Sequence, residues 1–95
     1  MKNIIAAKRW HSRLKGKDAA IRFREICKRR MVPNEPFEID MTGVKNISEG
    51  FAYECFGPLY LEAKRNNIKL TFPSLDEELQ PILLMGITDY YNTFG

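Results

Sequence analysis

Apolar and polar residues follow one another in patterns that predict alternating strands and helices. Short β-rich or period-two runs predict strands at residues 3–7, 37–41 and 68–72. Apolar residues spaced three and four apart predict helices at residues 19–31 and 49–66, and a last helical region from about residue 75 to 91. Strand and helix therefore alternate three times, which is the order expected of an α/β protein.

Charged residues and proline mark the ends of the first helix. Asp18 stands where an N-cap is expected, and Pro33 cannot continue the helix. The preceding residues 9–16 are basic and lack a clear period, so we expect a loop there.

The two later helical segments each contain a proline. Gly57 and Pro58 fall in the middle of the helix at 49–66, where proline removes one backbone hydrogen bond, so we expect a kink or a break. Ser74 and Glu77 have the spacing of a capping box that opens the last helical region. Pro81 is expected to divide that region.

The connections between these elements determine the direction of the strands in the sheet. Right-handed crossovers place the strands parallel in a small sheet with the helices packed against it. We therefore predict one α/β domain that covers residues 1–95. Ligands and partners of such open sheets meet the loops at the carboxyl ends of the strands, and residues 40–50 lie at such an end.

The cysteine content and the hydropathy favour a cytoplasmic protein. Cys27 and Cys55 fall on apolar faces of predicted helices and are too few for a disulfide framework, which fits a reducing compartment. The apolar run at residues 4–7 is too short for a signal peptide, and no run of about 18 apolar residues occurs. We expect a soluble protein with no membrane association.

Charge is distributed unevenly along the chain. Residues 1–32 contain eleven Lys and Arg residues and two acidic ones, whereas residues 33–95 contain four and ten. A basic helix beside acidic neighbours, or a solvated basic face, would account for this asymmetry. Clustered positive charge would equally attract nucleic acid, an anionic membrane surface or an acidic protein.

Nucleic-acid binding is the alternative function that this basic region supports. The stretch KRWHSRLKGK (residues 8–17) interleaves aromatic with basic side chains, which offers phosphate contacts and one stacking platform. The candidate residues are Lys8, Arg9, Trp10, Arg13, Lys15 and Lys17. No helix-turn-helix, zinc-finger or RNP pattern accompanies them.

Ser48 stands where the helix at 49–66 begins, and two interpretations of it remain open. A serine at an N-cap accepts hydrogen bonds from the first-turn amides and stabilises the helix by about 1 kcal/mol. A phosphoryl group there would add about −1.5 to −2 charges beside the positive helix end. It would change the surface that a partner meets without unfolding the domain. Thr42, beside Gly43, is a weaker candidate that we interpret as a turn residue.

Neither a catalytic site nor a metal centre is expected. His11 has no cysteine or carboxylate at metal-ligand spacing and is interpreted as a surface residue. Asp40 and Glu49 could pair as acid and base, but no phosphate loop or nucleophile elbow accompanies them. Asp40 is instead interpreted as a hydrogen-bond acceptor that fixes the loop. We therefore predict no enzyme activity and no cofactor.

The stretch FEIDMTGVKNISEGFAYECFGPLYLEAKRNNIKLTF (residues 37–72) resembles the core of the STAS domain, the sulphate transporter and anti-sigma-factor antagonist family. It is more similar to the prokaryotic STAS-like domains of unknown function. In that pattern a strand ending in D-x-[ST]-x-V leads through a short loop to a serine at a helix start, and DMTGV at residues 40–44 fits it. Arg13 and Gly16 resemble the Arg-x-x-Gly segment that precedes the first helix in the STAS-like group.

The resemblance implies partner switching, in which a kinase-like partner phosphorylates the serine of a D-S-x-G motif and is thereby released. This chain departs from that motif. Aligned without a gap, Ser48 stands at the aspartate and Glu49 at the phosphorylated position, so a permanent charge would make a constitutive binder. With a loop one residue shorter, Ser48, Glu49 and Gly50 fit S-x-G, but Ile47 replaces the aspartate.

The sequence and the resemblance together predict a non-catalytic regulatory domain that binds a protein partner. The resemblance implies that this partner is an ATP-binding, kinase-like regulator in a bacterial or phage system. The candidate partner-binding residues are Asp40, Thr42, Gly43, Glu49 and Gly50, with Ser48 as the candidate phosphorylation site. The sequence leaves the oligomeric state open.

Overall fold

The computed structural model of this chain describes residues 3–9 and 13–95. The strands in that part are β1 (Ile4–Ala6), β2 (Arg13–Leu14), β3 (Phe37–Asp40), β4 (Asn46–Ile47) and β5 (Leu70–Thr71). Among the described residues, β1, β3 and β5 form a three-stranded parallel sheet in the order β1-β3-β5. Its register pairs Ile5 with Ile39 and Phe37 with Leu70. The predicted α/β class and parallel sheet are confirmed.

The helices account for most of the described chain. They are α1 (Lys17–Arg30), α2 (Glu49–Phe51), a π-helical segment (Ala52–Phe56), α3 (Gly57–Arg65) and α4 (Gln80–Phe94). Short 3-10 turns occupy Ala7–Arg9 and Glu77–Leu79. The α2, π-helical and α3 segments follow one another without interruption, and we call them together the central helix.

A second, very short sheet was not expected. β2 and β4 pair in parallel, with Arg13 opposite Asn46 and Leu14 opposite Ile47. The prediction of a loop across residues 9–16 was therefore wrong at residues 13 and 14, which form β2. The short loop expected before Ser48 likewise contains a strand, β4. Two residues are too few to show a period, so only the tertiary approach of the two segments creates these strands.

Three of the predicted helix boundaries were also wrong. Gly16, at φ 94°, is the N-cap of α1 in place of Asp18. Asp76 caps the 3-10 turn that precedes α4, while Ser74 adopts a left-handed φ of 62°. Pro81 falls in the first turn of α4, where no amide is needed for the helix, so it opens the helix and does not divide it.

The expected break at Pro58 does not occur, and the central helix instead contains a π-helical segment just before this proline. The Gly57 amide donates to the carbonyl of Ala52, five residues back. Proline has no amide hydrogen, so the carbonyl of Glu54, four residues before Pro58, loses its usual helical donor. The Arg24 Nη1 atom donates to this Glu54 oxygen at 3.2 Å. A side chain of α1 thus satisfies the carbonyl that Pro58 leaves open.

Arg24→Met is expected to lower the free energy of unfolding by about 1–2 kcal/mol, because the Glu54 carbonyl is left without this donor. Urea denaturation would measure the change, with Arg22→Met on the exposed part of α1 as a control within about 0.5 kcal/mol. In a Pro58→Ala background an amide is restored at residue 58, and the cost of Arg24→Met should shrink. Equal costs in both backgrounds would contradict this role.

The core lies between one face of the sheet and the helices. Phe37 and Ile39 of β3 are fully buried, whereas Glu38 and Asp40 lie on the opposite, more open face. The buried residues form one cluster that includes side chains of β1, β3, α1, the central helix and α4. One continuous core therefore holds all these elements.

The two cysteines belong to this core. Both are buried and free, as the apolar helix positions predicted. Burial raises the pKa of the Cys27 thiol to about 12 and also raises the pKa of Cys55. Both thiols are therefore protonated and unreactive at neutral pH.

Candidate functional site

The loop after β3 is fixed by the Asp40 carboxylate. Its Oδ1 atom accepts a hydrogen bond from the Thr42 hydroxyl at 2.6 Å and from the Thr42 amide at 3.0 Å. The bond from the Thr42 hydroxyl, with that from the amide, lowers the pKa of Asp40. The interpretation of Asp40 as a loop-fixing acceptor and of Thr42 as a turn residue is confirmed.

Gly43 allows this loop to turn beneath a basic side chain. Its φ of 79° lies in the left-handed region, which glycine adopts without steric cost. A Cβ atom at this position would also lie 2.6 Å from Cδ of Lys8. Lys8 of the 3-10 turn after β1 therefore crosses directly over the loop, and brings one of the predicted nucleic-acid residues to the carboxyl end of β3.

Ser48 is the N-cap of α2, as one of its two interpretations required. Its backbone is extended, and its Oγ atom accepts a hydrogen bond from the Phe51 amide at 3.0 Å. The side chain is half-buried, and the next two residues, Glu49 and Gly50, are exposed. The hydroxyl oxygen thus caps the helix by accepting a hydrogen bond, while the next two residues of α2 are exposed to solvent.

An acidic cleft opens beside this helix start. Three carboxylates, one tyrosine and one methionine line it together with two glycines, and its volume is about 270 Å³. The lining residues are Glu49, Gly50, Tyr53, Glu54, Met85, Gly86 and Asp89. Met85 is 50% exposed. The cleft therefore combines an accessible apolar side chain with negative charge.

Sequence reasoning missed the residues that α4 contributes to this cleft. Nothing local relates Met85 or Asp89 to Glu49, because α4 reaches the central helix only in the folded chain. A weak signal was present in the run ILLMGI (residues 82–87), which has more consecutive apolar residues than one helix face can bury.

The predicted partner-binding residues do not all meet in one cavity. Asp40 lines a cavity of about 500 Å³ together with Arg9, Arg30 and residues of β1. Glu49 instead lines the acidic cleft. In the part of the chain that the structure describes, the two carboxylates considered as an acid–base pair, Asp40 and Glu49, thus line different cavities.

The residues of the alternative nucleic-acid site are described only in part. Lys8, Arg9, Lys15 and Lys17 are exposed. Trp10, His11 and the side chain of Arg13 lie outside the described part of the structure. The basic candidates that are described thus surround the amino-terminal end of α1 and the turn after β1.

The described residues also bear on two other classes of site, a metal centre and a membrane span. Over residues 3–9 and 13–95, no group of three or more His, Cys, Asp or Glu side chains is arranged to hold a metal ion. None of the helices in that part has the length and apolar content needed to cross a bilayer.

Comparison with known protein families gives a match over most of the chain. The model of the STAS-like domain of unknown function (DUF4325) matches residues 19–80, from the first turn of α1 to the first residue of α4. This segment includes β3, the Asp40 loop, Ser48 and the central helix. No curated protein and no solved structure matches the chain.

Proposed function

This chain belongs to the family of STAS-like domains of unknown function, and we propose that it is a non-catalytic protein-interaction module of a regulatory system. The partner binds the surface formed by the Asp40 loop, the exposed first turn of α2 and the acidic cleft. The observation that carries this proposal is the exposed pair Glu49 and Gly50, next to an acidic cleft that contains an accessible Met85.

The hydrogen bonding of Ser48 supports binding over catalysis. A nucleophilic serine needs a base within hydrogen-bond reach to accept its proton. The partner of the Ser48 oxygen is the Phe51 amide, which is a donor and cannot act as a base. Ser48 therefore has the environment of a structural cap that also presents its hydroxyl at a helix start.

The composition of the cleft indicates the chemistry of the partner. Protein interfaces bury an apolar centre within a polar rim, and opposite charges on the two rims set orientation and association rate. Met85 and Tyr53 supply apolar surface, and Glu49, Glu54 and Asp89 supply negative charge. A partner with an apolar side chain surrounded by Lys and Arg fits this surface, and the family resemblance favours an ATP-binding, kinase-like regulator.

Phosphorylation of Ser48 would regulate this complex. A phosphoryl group carries about −1.5 to −2 charges and is stabilised at a helix N-terminus by the helix dipole. Placed next to Glu49, it would change the charge and the shape that the partner meets, while the core below stays intact. Its negative charge alone would attract a basic partner, so the release that the family resemblance implies depends on the bulk of the phosphoryl group at the contact surface.

The partner complex would be tested first by a pull-down from native lysate treated with nuclease, followed by mass spectrometry and titration of the purified partner. Met85→Lys is expected to weaken binding at least tenfold, because it places a positive charge in the acidic cleft. Leu84→Lys, one residue earlier and 59% exposed, does not line the cleft and is the matched control. Equal binding by both variants would refute the proposed surface. Retention that disappears with the nucleic acid would favour the basic residues of the amino-terminal third instead.

The Ser48 switch makes a separate prediction. Aspartate and serine are comparable N-caps, so Ser48→Asp should keep stability within about 0.5 kcal/mol while adding a charge. Ser48→Ala should cost about 1 kcal/mol because the Phe51 amide loses its acceptor. Thermal denaturation and partner titration would be measured on both variants. The switch requires that Ser48→Asp alone change the affinity, with weaker binding meaning release and tighter binding meaning recruitment, and unchanged binding would leave Ser48 as a cap only.

A further inference from the structure

β5 has a free edge in the described part of the chain. It pairs with β3 on one side, and among residues 3–9 and 13–95 no strand pairs with its other side. The Lys69 carbonyl accepts from the Phe37 amide at 3.0 Å, and the Pro73 carbonyl accepts from the Met41 amide at 2.9 Å. Peptide groups alternate in direction along a strand, so the amides and carbonyls of Leu70 and Phe72 point away from β3.

This edge opens into an apolar groove beneath α4. The groove has a volume of about 500 Å³, which is within the range of roughly 300–1,000 Å³ found for binding clefts. It is lined by Leu70 and Phe72 of the β5 segment, by Tyr60 and Lys64 of α3, and by residues of α4. The α4 residues are Gln80, Leu83, Leu84, Ile87, Thr88, Tyr91 and Asn92, and Leu75 completes the lining.

The groove has the components that a bound strand requires. A strand beside β5 would receive hydrogen bonds from the outward peptide groups of Leu70 and Phe72, and neighbouring strands lie about 4.8 Å apart. Its alternate side chains would point toward Leu83, Leu84 and α3, where the lining is apolar. In a βαβ arrangement the helix that follows a strand packs over the strand that comes next in the sheet. α4 follows the edge strand β5, and the groove is the space beneath α4 that such a next strand would occupy.

One charge distinguishes the groove from a plain apolar surface. Its lining contains the cation Lys64 and no carboxylate. The Lys64 ammonium is 5.7 Å from the ring centres of both Tyr60 and Tyr91, so it is held over the groove wall. An acidic side chain on the bound strand would be complementary to this cation.

We propose that the groove binds an extended peptide of a partner protein, which pairs with the edge of β5 as an added strand. The peptide carries apolar side chains at alternate positions and an aspartate or glutamate opposite Lys64. Strand addition of this kind takes its affinity from main-chain hydrogen bonds and its specificity from pockets for alternate side chains. The proposal is independent of the acidic cleft, because Leu84 lines the groove and Met85 lines the cleft.

Selection from a phage-displayed library of random nine-residue peptides tests this directly. We expect the enriched peptides to alternate apolar and polar residues and to contain one carboxylate. Titration of a synthetic enriched peptide should show at least tenfold weaker binding to Leu84→Glu, and unchanged binding to the matched variant Met85→Glu. Both side chains are largely exposed, at 59% and 50%, so both variants are expected to fold.

Two further measurements locate the peptide. The amides of Leu70 and Phe72 should exchange rapidly in the free protein and become at least tenfold slower with peptide bound, because they gain strand hydrogen bonds. Lys64→Glu should lose affinity for the acidic peptide and prefer the same peptide with lysine in place of the carboxylate.

Several results would overturn the proposal. They are the absence of enriched alternating peptides, equal effects of Leu84→Glu and Met85→Glu, and strong protection of the Leu70 amide before peptide is added. Self-association of the wild type that Leu84→Glu abolishes, measured by sedimentation, would instead identify a second copy of this chain as the occupant. Binding of the protein partner from the lysate by Met85→Lys tests the acidic cleft alone, and peptide binding by Leu84→Glu tests the groove alone. The proposed function and the proposed peptide site can therefore fail separately.

Discussion

Phe56→Ala is expected to lower the free energy of unfolding by about 3–5 kcal/mol, the range for truncating a buried aromatic side chain. Phe56 is fully buried, and its ring centre lies 5.6 Å from that of Phe51, 5.4 Å from that of Phe72 and 6.4 Å from that of Phe23. One ring therefore joins the central helix, α1 and the segment after β5. A domain of this size has a stability on the order of 5–15 kcal/mol, so the variant should be partly unfolded at 37 °C.

Chemical denaturation followed by circular dichroism would measure this loss. Phe94→Ala is the matched control, because Phe94 is 55% exposed at the end of α4 and contacts the Tyr90 ring at 4.6 Å. We expect that control to cost less than about 1 kcal/mol. Similar losses in the two variants would contradict the central position of Phe56 in the core.

Gly86→Val is expected to cost on the order of 3 kcal/mol, because α4 and the central helix touch at this glycine. A Cβ atom at residue 86 would lie 2.4 Å from Cβ of Ala52 and 2.8 Å from the backbone carbon of Ala52 and the nitrogen of Tyr53. Backbone atoms cannot move aside as the end of a flexible side chain can. The two helices would have to separate, which would open the core at Leu83 and Ile87.

The matched control is Gly50→Val in α2, where an added Cβ meets nothing within 4 Å. Thermal denaturation should show a change within about 0.5 kcal/mol for this control. The double variant Gly86→Ala with Ala52→Gly should recover only part of the stability lost by Gly86→Ala, since the backbone contacts at 2.8 Å remain. Full recovery, or no loss on Gly86→Val, would contradict the close packing.

The close packing at Gly86 also relates the two proposed binding surfaces. Met85 and Gly86 line the acidic cleft, and Leu83, Leu84 and Ile87 line the groove on the other side of α4. α4 therefore separates a negatively charged surface, beside the start of α2, from an apolar one that contains Lys64. A shift of this helix relative to the central helix would alter both surfaces together.

The residues between the end of β3 and the start of α2 show how far local chemistry extends. The cap interpretation of Ser48 and the loop-fixing interpretation of Asp40 could be made from the sequence, because both roles depend on amides two or three residues away. The alternative pairing of Asp40 with Glu49 depended on distant geometry, and the structure gives the two carboxylates different cavities. Whether Ser48 is modified stays a prediction.

The sequence alone determined the elements whose signals are local. Period-two runs located β3 and the β5 segment, and helical periods located α1, the central helix and α4. Their alternation predicted the parallel α/β sheet that the structure shows. Residues 37–72 also resembled the STAS-like family, and the match of the family model over residues 19–80 confirmed that the chain belongs to it. Each of these inferences uses interactions within a few residues, or a topological rule that holds for the whole fold class.

Only the tertiary structure decided the remaining features, because each depends on residues far apart in the chain. The β2–β4 pair joins segments about thirty residues apart, and neither has enough residues to show a strand period. The donor that satisfies the Glu54 carbonyl is Arg24, from another helix, so Pro58 produces a π-helical segment instead of a break. The acidic cleft and the groove likewise form where α4 packs closely on the central helix, with Gly86 against Ala52 and Gly57 against Tyr90, an approach that no local pattern encodes.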